Sequence, residues 1–203
     1  MKNKLLLYAI SDGNIPPIEA AIRGGITMLQ LRAKNLPDGE LLALALRVKA
    51  STDKHNVPLI INDRADIAAE IDAAGAHLGP CDGDLRAARA LLGGKILGAT
   101  ARTVEQAQAA QAAGADYLGA GAVFGTRSKA DAIPMPLALF REICASVEIP
   151  VVAIGGIERG NIARLAGCGM AGFAVISGIF GQKNIEQAAR ELREAAEAVL
   201  CPK

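Results

Sequence analysis

The stretch Pro150-Val151-Val152-Ala153-Ile154-Gly155-Gly156-Ile157, with its echo Gly172-Phe173-Ala174-Val175-Ile176-Ser177-Gly178-Ile179, decides the fold. Each is a short apolar run that stops at a small polar or glycine step. A strand with one wet face alternates polar and apolar residues. A run that is apolar throughout marks a parallel strand buried on both faces. Residues 150–154 and 172–176 are therefore read as strands, and six more runs share the pattern: 5–10, 27–31, 58–62, 75–79, 95–99 and 116–121. Helical patterns lie between them, at 38–52, 65–74, 85–92, 103–113, 136–146, 159–166 and 184–200.

Local signals mark the boundaries. Thr103-Val104-Glu105-Gln106 has the form of a capping box, and Pro136 suits the first position of a helix. Gly24-Gly25, Gly114 and Gly167 stand where helices need a left-handed end. Eight units over 203 residues leave about 25 residues each, close to the smallest length a strand–helix repeat sustains. Even spacing without a long linker favours a single-domain α/β chain, residues 1–203, folded as a compact (β/α)8 TIM barrel rather than a doubly wound sheet.

Composition narrows the function. The chain has 22 Lys plus Arg against 21 Asp plus Glu, a formal charge of +1. That balance offers no general attraction to nucleic acid or an anionic membrane, so any anion must be held by a local site. With 3% aromatic residues, stacking platforms for single-stranded nucleic acid are hard to build. The run Leu5-Leu6-Leu7-Tyr8-Ala9-Ile10 is too short to span a membrane and a poor signal peptide. Cys81, Cys144, Cys168 and Cys201 lack metal or redox spacing and read as reduced thiols of a cytoplasmic protein. Nothing in the sequence fixes the oligomeric state; a homodimer is compatible with it.

Barrel enzymes carry their chemistry at the C-terminal strand ends, and the unusual polar residues of this chain collect there. After the second strand, Gln30-Leu31-Arg32-Ala33-Lys34 alternates so that an amide and two cations share one side, an anion fork. The third strand ends Asn62-Asp63-Arg64, where Asp63 is a helix cap or a metal ligand. The fourth supplies Asp82, and two aspartates at neighbouring strand ends can hold one Mg2+ that also binds substrate phosphates. His77 lies within that strand and reads as a packed histidine. Thr100 offers a hydroxyl; Thr126-Arg127-Ser128-Lys129 reads as a phosphate-binding loop. Gly155-Gly156 and Ser177-Gly178, after strands seven and eight, stand where barrels commonly bind phosphate. One rim thus suits a metal-bound diphosphate and a second, monophosphorylated molecule.

In this order and spacing, over nearly the whole chain, the sequence resembles the thiamine phosphate synthase family. The resemblance rests on Gln30-Leu31-Arg32-Ala33-Lys34, Ile61-Asn62-Asp63-Arg64-Ala65-Asp66, His77-Leu78-Gly79 with Asp82, Thr126-Arg127-Ser128-Lys129-Ala130-Asp131, Val152-Ala153-Ile154-Gly155-Gly156 and Val175-Ile176-Ser177. It implies coupling of a hydroxymethylpyrimidine diphosphate to a thiazole phosphate, with release of pyrophosphate. It implies Asp63 and Asp82 as Mg2+ ligands. Gln30, Leu31, Arg32, Ala33, Lys34, Asn62, Thr100 and Lys129 would hold the pyrimidine diphosphate, with Arg32, Lys34, Thr100 and Lys129 in the catalytic role. Thr126, Arg127, Ser128, Gly156, Ile176 and Ser177 would hold the thiazole phosphate.

The chain departs from the family pattern at several positions. Pro80 and Cys81 replace a Gln and an acidic residue, Arg102 replaces a His, Thr100 stands for the usual Ser, and Gly125 for a Pro. Pro80 puts the placement of Asp82 in question. Three rival functions remain: a thiazole tautomerase relative, which would use a His where Arg102 stands; a Schiff-base aldolase on Lys129; and a silent barrel that only binds thiamine precursors. The retained aspartate pair argues against the first two.

Overall fold

A computed structural model describes residues 1–125 and 134–201 of the chain. Eight parallel strands close into a barrel in sequential order: β1 Leu7–Ser11, β2 Met28–Leu31, β3 Leu59–Asn62, β4 Gly75–Leu78, β5 Ile96–Ala101, β6 Tyr117–Gly121, β7 Val151–Ile154 and β8 Gly172–Val175. Closure is direct, with Leu7 of β1 registered on Phe173 of β8. The expected (β/α)8 barrel is what forms. Around it lie α1 Lys2–Leu5, α2 Ile15–Arg23, α3 Asp38–Asp53, α4 Ala65–Glu70, α5 Leu85–Leu92, α6 Val104–Ala112, α7 Leu137–Ala145, α8 Ser177–Phe180 and α9 Ile185–Leu200, with a 3-10 turn at Ile162–Leu165.

Strand alternation divides the core in two. Leu5, Tyr8, Ile10, Met28, Ile60, Tyr117, Val152 and Ala174 fill the barrel interior. Leu7, Leu29, Leu31, Leu59, Ile61, Leu97, Leu118, Phe173 and Val175 face outward and pack against the helices. Both layers are apolar, which is why the strands read as continuous hydrophobic runs. Each fully buried aliphatic side chain contributes roughly 1.5–3 kcal/mol, so neither layer is dispensable.

The predicted ends shift in three informative places. The first strand begins at Leu7 rather than Leu5, because residues 2–5 turn as α1 and Leu5 plugs the interior, fully buried. Thr27 holds that corner: the Leu7 N–H donates to its hydroxyl at 2.9 Å, and the hydroxyl donates to Lys4 O at 2.9 Å. Residues 159–166 form only the 3-10 turn, which stops where Ala166 takes an extended backbone and Gly167 a left-handed one. The Asn161 side chain accepts from Glu158 N–H and donates to Gly156 O. Pro136 is the residue before α7 rather than its first. The Thr103 cap forms as read, accepting from Gln106 N–H, while Gln106 Oε1 accepts from Arg102 N–H.

Gly25, not Gly24, carries the left-handed backbone after α2. Gly24 is small for another reason: a Cβ there would lie 2.4 Å from Glu186 O on α9. The last helix therefore docks on α2, burying Ala189, Leu192 and Ala196, and Arg23 pairs with Glu186 at 2.8 Å. At the N-terminal end of the barrel the Arg89 guanidinium donates to Gly93 O, Lys95 O and Gly114 O and pairs with Asp116, whose carboxylate also accepts from Leu97 N–H.

Glycine inside the barrel marks close approach of backbones. A Cβ at Gly75 would sit 1.9 Å from Ile96 O on the neighbouring strand. Gly75→Ala should therefore cost several kcal/mol, about 1–3 or more for forced overpacking. Gly39→Ala in α3, where a Cβ meets nothing within 4 Å, should be neutral or mildly stabilising. Urea unfolding midpoints of the two variants check the pair, and equal midpoints would contradict the β4–β5 register.

Candidate active site

A cavity of about 500 Å3 opens at the C-terminal ends of the strands. Its wall gathers most of the described residues named from sequence: Gln30, Arg32, Lys34, Asn62, Asp63, Asp82, Thr100, Gly156, Ile176 and Ser177. Leu31 and Ala33 are not among them. Both lie in the helix-facing layer, because alternation turns them away when Gln30 and Arg32 point inward. Thr126, Arg127, Ser128 and Lys129 lie outside the described residues. Arg64, despite its place in the motif, faces away from the cavity and pairs with Asp38 at 2.5 Å and Asp66 at 2.6 Å.

The two carboxylates meet at adjacent strand ends. Asp63 takes a left-handed backbone, φ 65°, and its N–H donates to His77 O at 2.8 Å, which ties the end of β3 to β4. It is therefore not the cap of α4; Arg64 holds that position. Asp82 is delivered by a tight turn in which its N–H donates to Gly79 O at 3.2 Å and its Oδ2 accepts from Gly79 N–H at 2.8 Å. Pro80 sits at the second turn position, where a fixed φ is favourable, so it seats Asp82 rather than displacing it. Gly79 leaves room for that carboxylate, since a Cβ there would lie 2.5 Å from Asp82 Oδ2 and push it aside.

Partial burial and the adjoining Asp82 carboxyl raise the Asp63 pKa above the ordinary carboxylate value, with Lys34 opposing at 3.4 Å. Like charges crowded in this way are relieved by a cation. Among the described residues no group of three or more His, Cys, Asp or Glu could hold a metal. The donor set is thus two carboxylates and open space. It fits a hard ion that keeps waters and takes oxygens from a ligand, the habit of Mg2+.

Across the cavity, Gly155 and Gly156 both have positive φ, 102° and 65°. A Cβ on Gly155 would lie 2.4 Å from Ala122 Cβ and one on Gly156 2.2 Å from Gly125 O, so only bare backbone fits between the ends of β6 and β7. Ser177 stands beside this loop at the end of β8.

The cavity floor holds groups that the motif reading did not assign. Gln30 Nε2 donates to Tyr8 Oη at 2.5 Å, Tyr8 Oη bonds Tyr117 Oη at 2.8 Å, and Tyr117 Oη meets His77 Nδ1 at 3.0 Å. His77 Nε2 then meets Thr100 Oγ1 at 3.0 Å. Burial pushes the His77 pKa down to about 4, so the ring is neutral at pH 7, and burial raises both tyrosines. Gly98 makes room for this: a Cβ there would lie 2.3 Å from the Tyr117 ring and 2.5 Å from His77 Nδ1. His77 is packed, as read, but it also faces the cavity. The available signal was a polar side chain inside an apolar strand, in step with Asn62 across the β3–β4 pair. Arg102 and Gln106 also line the wall.

Comparison with known proteins decides the family. A family model described as thiamine monophosphate synthase matches residues 7–179. The chain belongs to the thiamine monophosphate synthase family. Within that family it is 44% identical over 203 residues to thiamine-phosphate synthase of Clostridium tetani, covering 95% of this chain and 97% of the relative. It is 39% identical over 204 residues to thiamine-phosphate synthase of Pyrococcus furiosus, covering 98% and 99%. The solved thiamine phosphate pyrophosphorylase from Pyrococcus furiosus superposes with a TM-score of 0.92 at 38% identity, covering 98% of each chain.

A raised carboxyl pKa means that the folded protein holds that proton more tightly than the unfolded chain. The Asp63 penalty is absent below the unfolded carboxylate value and grows as pH rises through the higher folded value. Asp63→Asn should accordingly raise the melting temperature in metal-free buffer at pH 7 and give no comparable gain at pH 3. A calorimetric comparison at the two pH values checks this; an equal shift at both would refute the charge-crowding account.

Proposed function

We propose that this chain is an enzyme, a thiamine-phosphate synthase: a transferase that joins a hydroxymethylpyrimidine diphosphate to a thiazole phosphate, giving thiamine phosphate and pyrophosphate. The observation that carries the reading is the meeting, on one cavity wall, of the Gln30–Arg32–Lys34 fork with the Asp63–Asp82 pair. Full-length similarity to proteins of that name supports it.

The chemistry needs no protein nucleophile. The bond between the pyrimidine methylene carbon and the diphosphate oxygen breaks with its electron pair leaving on pyrophosphate, and the thiazole nitrogen supplies the pair for the new C–N bond. Arg32, Lys34 and Lys129 are assigned to the charge that develops on the departing group, the usual work of preorganised cations. Asp63 and Asp82 would hold Mg2+, which when bound neutralises diphosphate charge. Gln30, Asn62 and Thr100 are assigned to the pyrimidine. Thr126, Arg127, Ser128, Gly156, Ile176 and Ser177 are assigned to the thiazole phosphate. The apolar wall of Ile10, Val152, Ile154 and Ile176 would shield the cationic methylene from water.

A cytoplasmic location belongs to the same reading. The four cysteines are free thiols, and among the described residues no helix is long and apolar enough to cross a membrane.

Incubation with both substrates, with and without Mg2+, tests the proposal through the appearance of thiamine phosphate and pyrophosphate in equal amounts. Binding of both precursors without product would favour a sensing barrel instead. Asp63→Ala should lose most activity at low Mg2+ and recover part of it at high Mg2+. An unchanged Mg2+ dependence would remove Asp63 from the metal site.

A further inference from the structure

With the Gln30 amide nitrogen turned toward Tyr8, the five linked side chains on the cavity floor have one consistent hydrogen-bond polarity. Gln30 Nε2 can only donate, so Tyr8 Oη accepts from it. The single Tyr8 proton then goes to its remaining side-chain partner, Tyr117 Oη, Tyr8 being 1% exposed. Tyr117, fully buried, passes its own proton toward His77 Nδ1. With Nδ1 accepting, a neutral ring carries its proton on Nε2 and donates it to Thr100 Oγ1. The reverse direction would make Tyr8 accept twice and strand its hydroxyl proton in the barrel, a cost no native core accepts lightly. Among the described residues no buried side-chain nitrogen or oxygen lacks a partner.

The ends of the chain then differ. Thr100, already accepting from His77, has its hydroxyl proton free for the cavity. Gln30, with one of its two amide protons engaged by Tyr8, keeps its amide oxygen to accept from the cavity. The cavity therefore reads a donor at Gln30 and an acceptor at Thr100.

We propose that Tyr8, Tyr117 and His77 are positioning residues which lock this polarity, so that the site selects a heteroaromatic ring bearing an amino donor and an unprotonated ring nitrogen, and rejects the oxo ring in which both are reversed. The proposal rests on the synthase reading for the identity of the ring, while the direction of the hydrogen bonds stands on the structure alone. None of the three residues need touch the reacting atoms. Their effect runs through Gln30 and Thr100.

Two measurements test it. The chain has two histidines, His55 and His77, and His55 is exposed, so nitrogen-15 labelling of histidine gives a resolvable spectrum of the intact protein. The expected His77 signature is a proton on Nε2 and a bare Nδ1; a proton on Nδ1 would overturn the polarity, with no variant needed. The second compares turnover of the aminopyrimidine diphosphate with that of its 4-oxo analogue. Tyr117→Phe, which interrupts the chain, should narrow the preference for the amino substrate by roughly tenfold or more, the scale of a misplaced buried hydrogen bond. Thermal unfolding confirms that the variant is folded. Equal losses on both substrates would reduce Tyr117 to a structural role and sink the proposal. No turnover of either substrate by the parent protein would instead sink the synthase reading and leave the tautomer result standing.

Discussion

A closed ring of eight short parallel strands leaves each residue only two directions, into the barrel or out toward the helices, and the choice reverses at every step. Everything else in this molecule follows from that restriction. It places Gln30 and Arg32 on the cavity wall and sends Leu31 and Ala33 to the helix layer. It aims Tyr8, His77, Thr100 and Tyr117 at one another from four different strands. Because the inward set is apolar toward the barrel base and polar toward the mouth, the same alternation builds both a core and a site.

The glycines are the other half of the restriction. Gly75 and Gly172 admit neighbouring backbones, and Gly98 admits two side chains that would otherwise collide with its own. At the rim, Gly79 admits the returning carboxylate of Asp82, and the positive φ of Gly155 and Gly156 lets the β7 loop lie flat on the β6 loop. Such positions look alike in sequence. Their separate reasons emerge only when the neighbour across the gap is known.

Much of the architecture was legible in the sequence because the evidence for it is local. Uninterrupted apolar runs meant parallel strands, and their even spacing meant closure. The rim residues were legible for the same reason, being polar groups in step at strand ends. What escaped was set by partners distant in sequence. Tyr8 and Tyr117 are 109 positions apart, and no pattern within either strand announces their bond. The segment at 159–166 has a helical composition, but only Ile162–Leu165 turns, as a 3-10 helix that stops where Ala166 takes an extended backbone. Asp63 could be read as a cap or a ligand until its left-handed backbone and its tie to His77 O showed which way it faces.

Arg89 offers a last consequence. Its guanidinium stitches three carbonyls and the Asp116 carboxylate at the end of the barrel remote from the cavity. Rigidity is thereby invested at the base, away from the chemistry. A substitution at the mouth leaves these ties intact, and the loops there answer instead to their own constraints, such as the Asp63 N–H bond to His77 O.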